Sequence, residues 1–235
     1  MYDDLARPGV VRRSFLNRLG ASAALIGAGV STSAALEARA PQAGTWRPAR
    51  HEHDAWLGQI PGKHRLFLDT LTPKGAGQAL GFAFNYADAS KTGYGLEDAD
   101  LATVICLRHF ATPFAFTDAI WAKYSEAIAA EIDFMDPKTG KAPVINLFVA
   151  EGYGHDLPNE GQTLQSAIAR GVHFAVCDLA THYFAGQIAT KAGGQPADIY
   201  NELIASAVAN SHFVPAGIVA VNRAQEYGYA FGYVG

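Results

Sequence analysis

The chain has 235 residues, 49% of them apolar and 17% charged, with a formal net charge of −4. This composition belongs to a compact globular protein and excludes fibrous and disordered chains. The first 40 residues hold five arginines (Arg7, Arg12, Arg13, Arg18, Arg39) and three acids (Asp3, Asp4, Glu37), so the remainder is more acidic than the whole. Such a balance gives no electrostatic footprint for nucleic acid or anionic lipid, and neither is expected as a partner.

Near the start, the pair Arg12 and Arg13 is followed by Phe15 and Leu16, then by a Gly/Ala-rich apolar run from Gly20 to Ala35 with no charge before Glu37. This is the pattern of a twin-arginine export signal. Residues 1–40 are therefore expected to address the chain to the twin-arginine translocase, with cleavage around Ser33 to Ala40 and a periplasmic destination. The competing reading is a membrane anchor. A spanning helix needs roughly 20 mostly apolar residues, and a short run of Ala, Gly and Ser gives no stable membrane span. Cys106 and Cys177 are the only cysteines, too few for a disulfide framework. Both fall in apolar, strand-like runs, which favours two free thiols over one bridge.

Residues 41–63 are rich in Pro, Gly, Arg and His, show no apolar period, and read as a leader or linker. Within them His51, Glu52, His53 and Asp54 have the composition of a metal cluster, but no spacing fixes a scaffold or a further ligand group, which favours a polar tail. Strand, loop and helix follow: His64 to Thr70, then Pro73, Gly75 and Gly77, then a helical stretch through Ala79, Phe82, Ala83 and Tyr86. Leu101 to Leu107 is a continuous apolar run, the mark of a strand buried on both faces, and it ends in Arg108 and His109. A helix is expected from Phe116 to Ile132.

Residues 133–162 form an insertion with one short apolar run, Val144 to Val149, as a candidate extra strand. Excursions of this length are often lids or binding loops. Beyond it the spacing predicts a helix over Thr163–Arg170, a third strand over Gly171–Cys177, a helix from Asp178 to about Ala192 and a helix over Pro196–Ala209. A fourth strand is expected over Phe213–Asn222. A last short strand carries the stripe Tyr227, Tyr229, Phe231 and Tyr233, a core or subunit-contact face. Strands alternating with helices imply an α/β fold, flavodoxin-like in kind, with a mainly parallel sheet covered by helices on both faces. Residues 64–235 then form one domain.

In an open parallel sheet, ligands bind beyond the carboxyl ends of the strands. Those ends are Asp69 and Thr70, Arg108 and His109, and Cys177 and Asp178, which would bring an acid, a cation, an imidazole and a thiol to one rim. Cys177 is the leading candidate, because the start of a helix stabilises a thiolate through its free N–H groups and dipole. Nearby Asp69 and Asp178 oppose that effect, and Arg108 or His109 would offset them. The plainer reading of Cys177 is a small buried hydrophobe. Cys106 lies mid-strand and reads as core. His173 shares a face with Cys177 but lies four residues away, roughly 13 Å at strand rise, too far for a catalytic pair. His182 follows Asp178 by one helical turn and can meet it. No Cys-x-x-Cys, His-Glu-x-x-His, Gly-x-Ser-x-Gly or phosphate-binding Gly-Lys-Ser/Thr motif occurs.

From His64 to Tyr233 the order of elements resembles the DsrE/DsrF-like family of small α/β proteins linked to sulfur relay and oxidation. The resemblance lies in Gly171-Val172-His173-Phe174-Ala175-Val176-Cys177 with Ala180 and Gly186, and in Val214-Pro215-Ala216-Gly217 and Gln225-Glu226-Tyr227-Gly228-Tyr229. It implies that Cys177 carries sulfur as a persulfide. This chain departs from relay-type members in its export signal, its 133–162 insertion and the Arg108-His109-Phe110 segment. Two functions follow as expectations. In one, Cys177 accepts a sulfane sulfur and passes it to a thiol partner protein, with Arg108 and His109 stabilising the anion. In the other, the same rim, closed by the loop of Tyr153, Gly154, His155 and Asp156, holds a small ligand, or haem or a metal through His109. The residues themselves assign no cofactor. A homo-oligomer is expected from the domain's size and its Tyr/Gly tail.

Overall fold

The computed structural model describes residues 47–235, and the twin-arginine segment lies outside them. Five parallel strands form one sheet in the order β4-β3-β2-β1-β5: β1 His64–Thr70, β2 Leu101–Leu107, β3 His173–Cys177, β4 Ser211–Val214 and β5 Ala230–Val234. Among the described residues seven α-helices accompany it: α1 Trp56–Gln59, α2 Pro73–Tyr94, α3 Asp118–Ile132, α4 Leu164–Ala169, α5 Asp178–Ala192, α6 Pro196–Ala205 and α7 Gly217–Glu226. Local chemistry sets the longest helix. Pro73 opens α2, the Thr72 hydroxyl accepts the N–H of Gly75 at 2.9 Å, and Gly95 closes the helix in the left-handed region at φ 70°.

Strand alternation divides the core in two. On one face Leu68, Ile105, Leu107, Phe174 and Val176 pack with α2, α3, α5 and α6. On the other, Phe67, Val104, Cys106 and Ala175 pack with Leu57 and Ile60 of the N-terminal arm and with Ala220, Val221 and Ala224 of α7. Every residue of the central strand β2 is buried, as its unbroken apolar run requires. The chain steps from β1 to β4 in one direction, then crosses back to place β5 beside β1. A right-handed crossover in the reverse direction must use the opposite face, and α7 occupies it.

Several local expectations are corrected. The segment Phe213–Asn222 is not one strand: β4 ends at Val214 and α7 starts at Gly217. Val144 to Val149 forms turns rather than a strand. The helix at Pro196 stops at Ala205, and Ala207 bridges Phe116 instead. Residues 47–63 are not a loose linker. Asp54 is buried beside Arg223, at 3.7 Å. The Arg65 guanidinium donates to the carbonyls of Leu57 and Ile60 at 2.7 and 3.1 Å. Among the described residues no helix is long and apolar enough to cross a membrane.

The arm is also fastened at the amino-terminal edge of the sheet, where the Trp56 ring stacks on His212 at 4.0 Å and His212 Nε2 lies 2.9 Å from His173 Nδ1. Such a bond needs one imidazole to donate and the other to accept, so at least one of the two rings has to stay neutral. Burial, then the neighbouring charge of His173, pushes the His212 pKa down from 6.5 to about 4. A histidine with a depressed folded-state pKa binds fewer protons folded than unfolded, so its contribution is complete above pH 6.5 and is lost as pH falls towards 4. The urea midpoint is therefore expected to drop between pH 6.5 and 4, and to drop less in His212→Gln. Equal slopes in the two proteins would show that the pair does not contribute.

Candidate functional site

Two adjacent strands, β3 and β4, send their chains to opposite faces of the sheet, β3 into α5 and β4 into α7. A crevice must open between such diverging connections at the carboxyl ends of the strands. It is a cavity of about 450 Å³ whose polar lining is Arg108, His109 and Cys177. The walls are Phe110 from the turn after β2, Leu179, Ala180 and Tyr183 from α5, and Ala216, Gly217 and Ile218 at the start of α7.

Arg108 follows β2 on the α7 face, next to Asp69 at the end of β1. Its Nε and Nη2 donate to Oδ1 and Oδ2 of Asp69 at 2.7 and 2.8 Å, a bidentate pair that leaves Nη1 outside both bonds. The hydrogen bonds to Asp69 come first among the causes that raise the Arg108 pKa, and the neighbouring cysteines add to them. Gly217 makes this packing possible. A Cβ at position 217 would lie 2.6 Å from Arg108 Cβ, so any larger residue at the first turn of α7 displaces the guanidinium or the helix.

Cys177 ends β3 and is the N-cap residue of α5, with extended backbone at φ −71° and ψ 111°. It is only 7% exposed, yet it lines the cavity. No hydrogen bond from its Sγ occurs among the described residues. Neither α5 nor α7 has a side-chain cap at its N-terminus, so both present free N–H groups near the crevice. Cys106 shares this face of the sheet but lies deeper, fully buried under Arg108, with Sγ 3.9 Å from the Gly217 carbonyl. Burial first, then the Asp69 charge, pushes its thiol pKa well up. This is a core thiol, as its mid-strand position implies.

His109 sits at the rim with φ 55°, a left-handed conformation that costs a residue with a Cβ of the order of 1 kcal/mol. Its ring lies 4.2 Å from that of Phe110.

Other strand-end residues are turned elsewhere. Thr70 is fully buried and its hydroxyl donates to the Cys106 carbonyl at 2.7 Å. Asp178 accepts from the Tyr200 hydroxyl at 2.7 Å and has His182 Nε2 at 3.6 Å, while the His182 ring stacks on Tyr200 at 3.8 Å. That bond to Asp178 is the main cause pushing the Tyr200 pKa up to about 12. Thus the structure brings together Cys177, Arg108 and His109, holds Asp69 behind Arg108, and leaves Thr70 and Asp178 outside the cavity lining. The loop of Tyr153 to Asp156 does not line the cavity either; Tyr153 packs against the α2/α3 side of the core. Nor do His51 to Asp54 gather ligands: among the described residues no three His, Cys, Asp or Glu side chains are grouped to hold a metal.

The sequence reading missed Leu179, Tyr183, Gly217 and Ile218. A signal for the last two was present, since the buried positions Gly217, Ala220, Val221 and Ala224 repeat at i, i+3, i+4 and i+7, the spacing of a helix. No family model matches the chain, and no curated protein or solved structure matches it.

Proposed function

We propose that this is an exported sulfur carrier, in which Cys177 receives a sulfane sulfur and passes it to the thiol of a partner. The observation that carries the reading is that Cys177, alone of the two thiols, lines the crevice at the sheet's switch point, at a helix start and beside the Arg108 cation. The step needs no oxidant. The Cys177 thiolate attacks the outer sulfur of a donor persulfide R–S–S⁻, a Cys177 S–S bond forms, the donor S–S bond breaks, and R–S⁻ leaves with the electron pair. The negative charge ends on the outer sulfur, where the free N–H groups of α5 and the Arg108 guanidinium favour it.

Reduced protein incubated with thiosulfate or polysulfide is expected to gain about 32 Da, one sulfur atom, on the Cys177 peptide. Absence of that species with these donors and with organic thiosulfonates alike overturns the reading. It would favour the second one, binding of a small ligand without thiol chemistry, which the apolar walls of the cavity also suit. The export half of the proposal rests on Arg12 and Arg13. Replacing both by lysine should retain the chain in the cytoplasm, and normal export of that variant would refute twin-arginine transport.

A further inference from the structure

We infer that the donor read by this cavity is a small organic anion with an apolar body, of the thiosulfonate or hydropersulfide class. This rests on Cys177 being a sulfur acceptor and adds which molecules it accepts from. A cavity of about 450 Å³ falls among small-molecule sites of roughly 300–1,000 Å³ and is far larger than one transferred sulfur needs. Three of its walls offer large apolar surfaces to water: Leu179 is 65% exposed, Ile218 62% and Tyr183, whose hydroxyl donates to Glu131 while its ring stays in part open, 47%. Single exposed apolar residues are ordinary, but three around one opening, with Phe110 beside them, form a surface that an apolar group would dry.

The inner end has the opposite character. Cys177, more than nine-tenths buried and without a hydrogen bond from Sγ, faces the space where the Arg108 guanidinium and the uncapped starts of α5 and α7 favour negative charge. No carboxylate lines the cavity: Asp69 lies behind Arg108, bonded to its Nε and Nη2, and Asp178 is bonded to Tyr200. A donor with its charge at the sulfur end and hydrocarbon behind it meets both halves. Inorganic thiosulfate leaves the apolar walls wet, and a donor carrying further charged groups would have to strip water from them against Leu179 and Ile218.

With a thiosulfonate R–SO₂–S⁻, the Cys177 thiolate attacks the terminal sulfur, the Cys177 S–S bond forms, and the S–SO₂ bond breaks. The sulfinate R–SO₂⁻ leaves with the electron pair, so two anions give two anions.

The test compares benzenethiosulfonate with methanethiosulfonate, which share the reacting group and differ in the apolar body. The rate of sulfur loading on Cys177 is followed by mass spectrometry in the full chain and divided by the rate for a cysteine-containing peptide, which removes intrinsic reactivity. The normalised rate is expected to favour the benzene compound by roughly tenfold, from burial of the extra apolar area. Ile218→Ser and Leu179→Ser should each pull that ratio towards the peptide's. Equal normalised rates would overturn the inference while leaving sulfur acceptance intact. Failure of every donor to load Cys177 overturns the proposed function and the inference with it.

Discussion

Asp69→Ala is expected to lower the unfolding free energy by about 3 kcal/mol, the low end of the cost of breaking a buried ion pair. The Asp69 side chain is 3% exposed and that of Arg108 20%, so the carboxylate is the deeper partner and the guanidinium borders the cavity. Removing the acid strands a cation whose stem is fixed against Gly217 and whose Nε and Nη2 lose both acceptors. Water entering the crevice recovers part of that loss, which places the cost at the low end of the range. Asp69→Leu combined with Arg108→Met should regain most of the stability, because an apolar pair of similar volume carries no desolvation penalty. Urea midpoints of the three proteins decide the matter. A loss below about 1 kcal/mol in Asp69→Ala, typical of surface pairs, would show that the pair does not anchor the crevice.

The strands were legible because burial on both faces writes itself as an apolar run: Leu101 to Leu107 needs no context to be read as a central strand. The strand-end rule then placed Arg108, His109 and Cys177 on one rim, and all three line the cavity. The rule locates backbone, not side chains. Asp69 and Thr70 are neighbours in sequence, yet pleating sends Asp69 to the α7 side and Thr70 to the other, so only Asp69 reaches Arg108. Asp178 is likewise drawn away by Tyr200, a partner 22 residues downstream that no local pattern announces.

The larger omission was α7. Ile218, Val219 and Val221 have high strand propensity, and tertiary packing overrides it, because the crossover to β5 has to cover the second face of the sheet. With α7 read as strand, the wall formed by Ala216, Gly217 and Ile218 was invisible. The arm was missed for a related reason. Leu57 and Ile60 are too few to show a period, and only the bare face of β1 and β2 gives them something to cover.

In Cys177→Ser, sulfur loading is expected to vanish, whereas Cys106→Ala should load as fully as the unaltered protein. The two thiols lie on one face of adjacent strands: Cys106 pairs with Ala175, two residues before Cys177, which places them roughly 7 Å apart along the strand direction. Their chemistry differs because their surroundings do. Burial holds Cys106 protonated at neutral pH, and a protonated thiol is a poor nucleophile, whereas Cys177 borders the cavity at the start of α5. Iodoacetamide at pH 7 should accordingly label Cys177 at least about 100-fold faster than Cys106, since only thiolate reacts and only Cys177 lies on the cavity wall. Equal, slow labelling of both would mean that neither the helix start nor Arg108 activates the thiol. Loading that survives Cys177→Ser would move the carrier role to Cys106 and require the α7 start to open over it, because the Gly217 carbonyl lies only 3.9 Å from its sulfur.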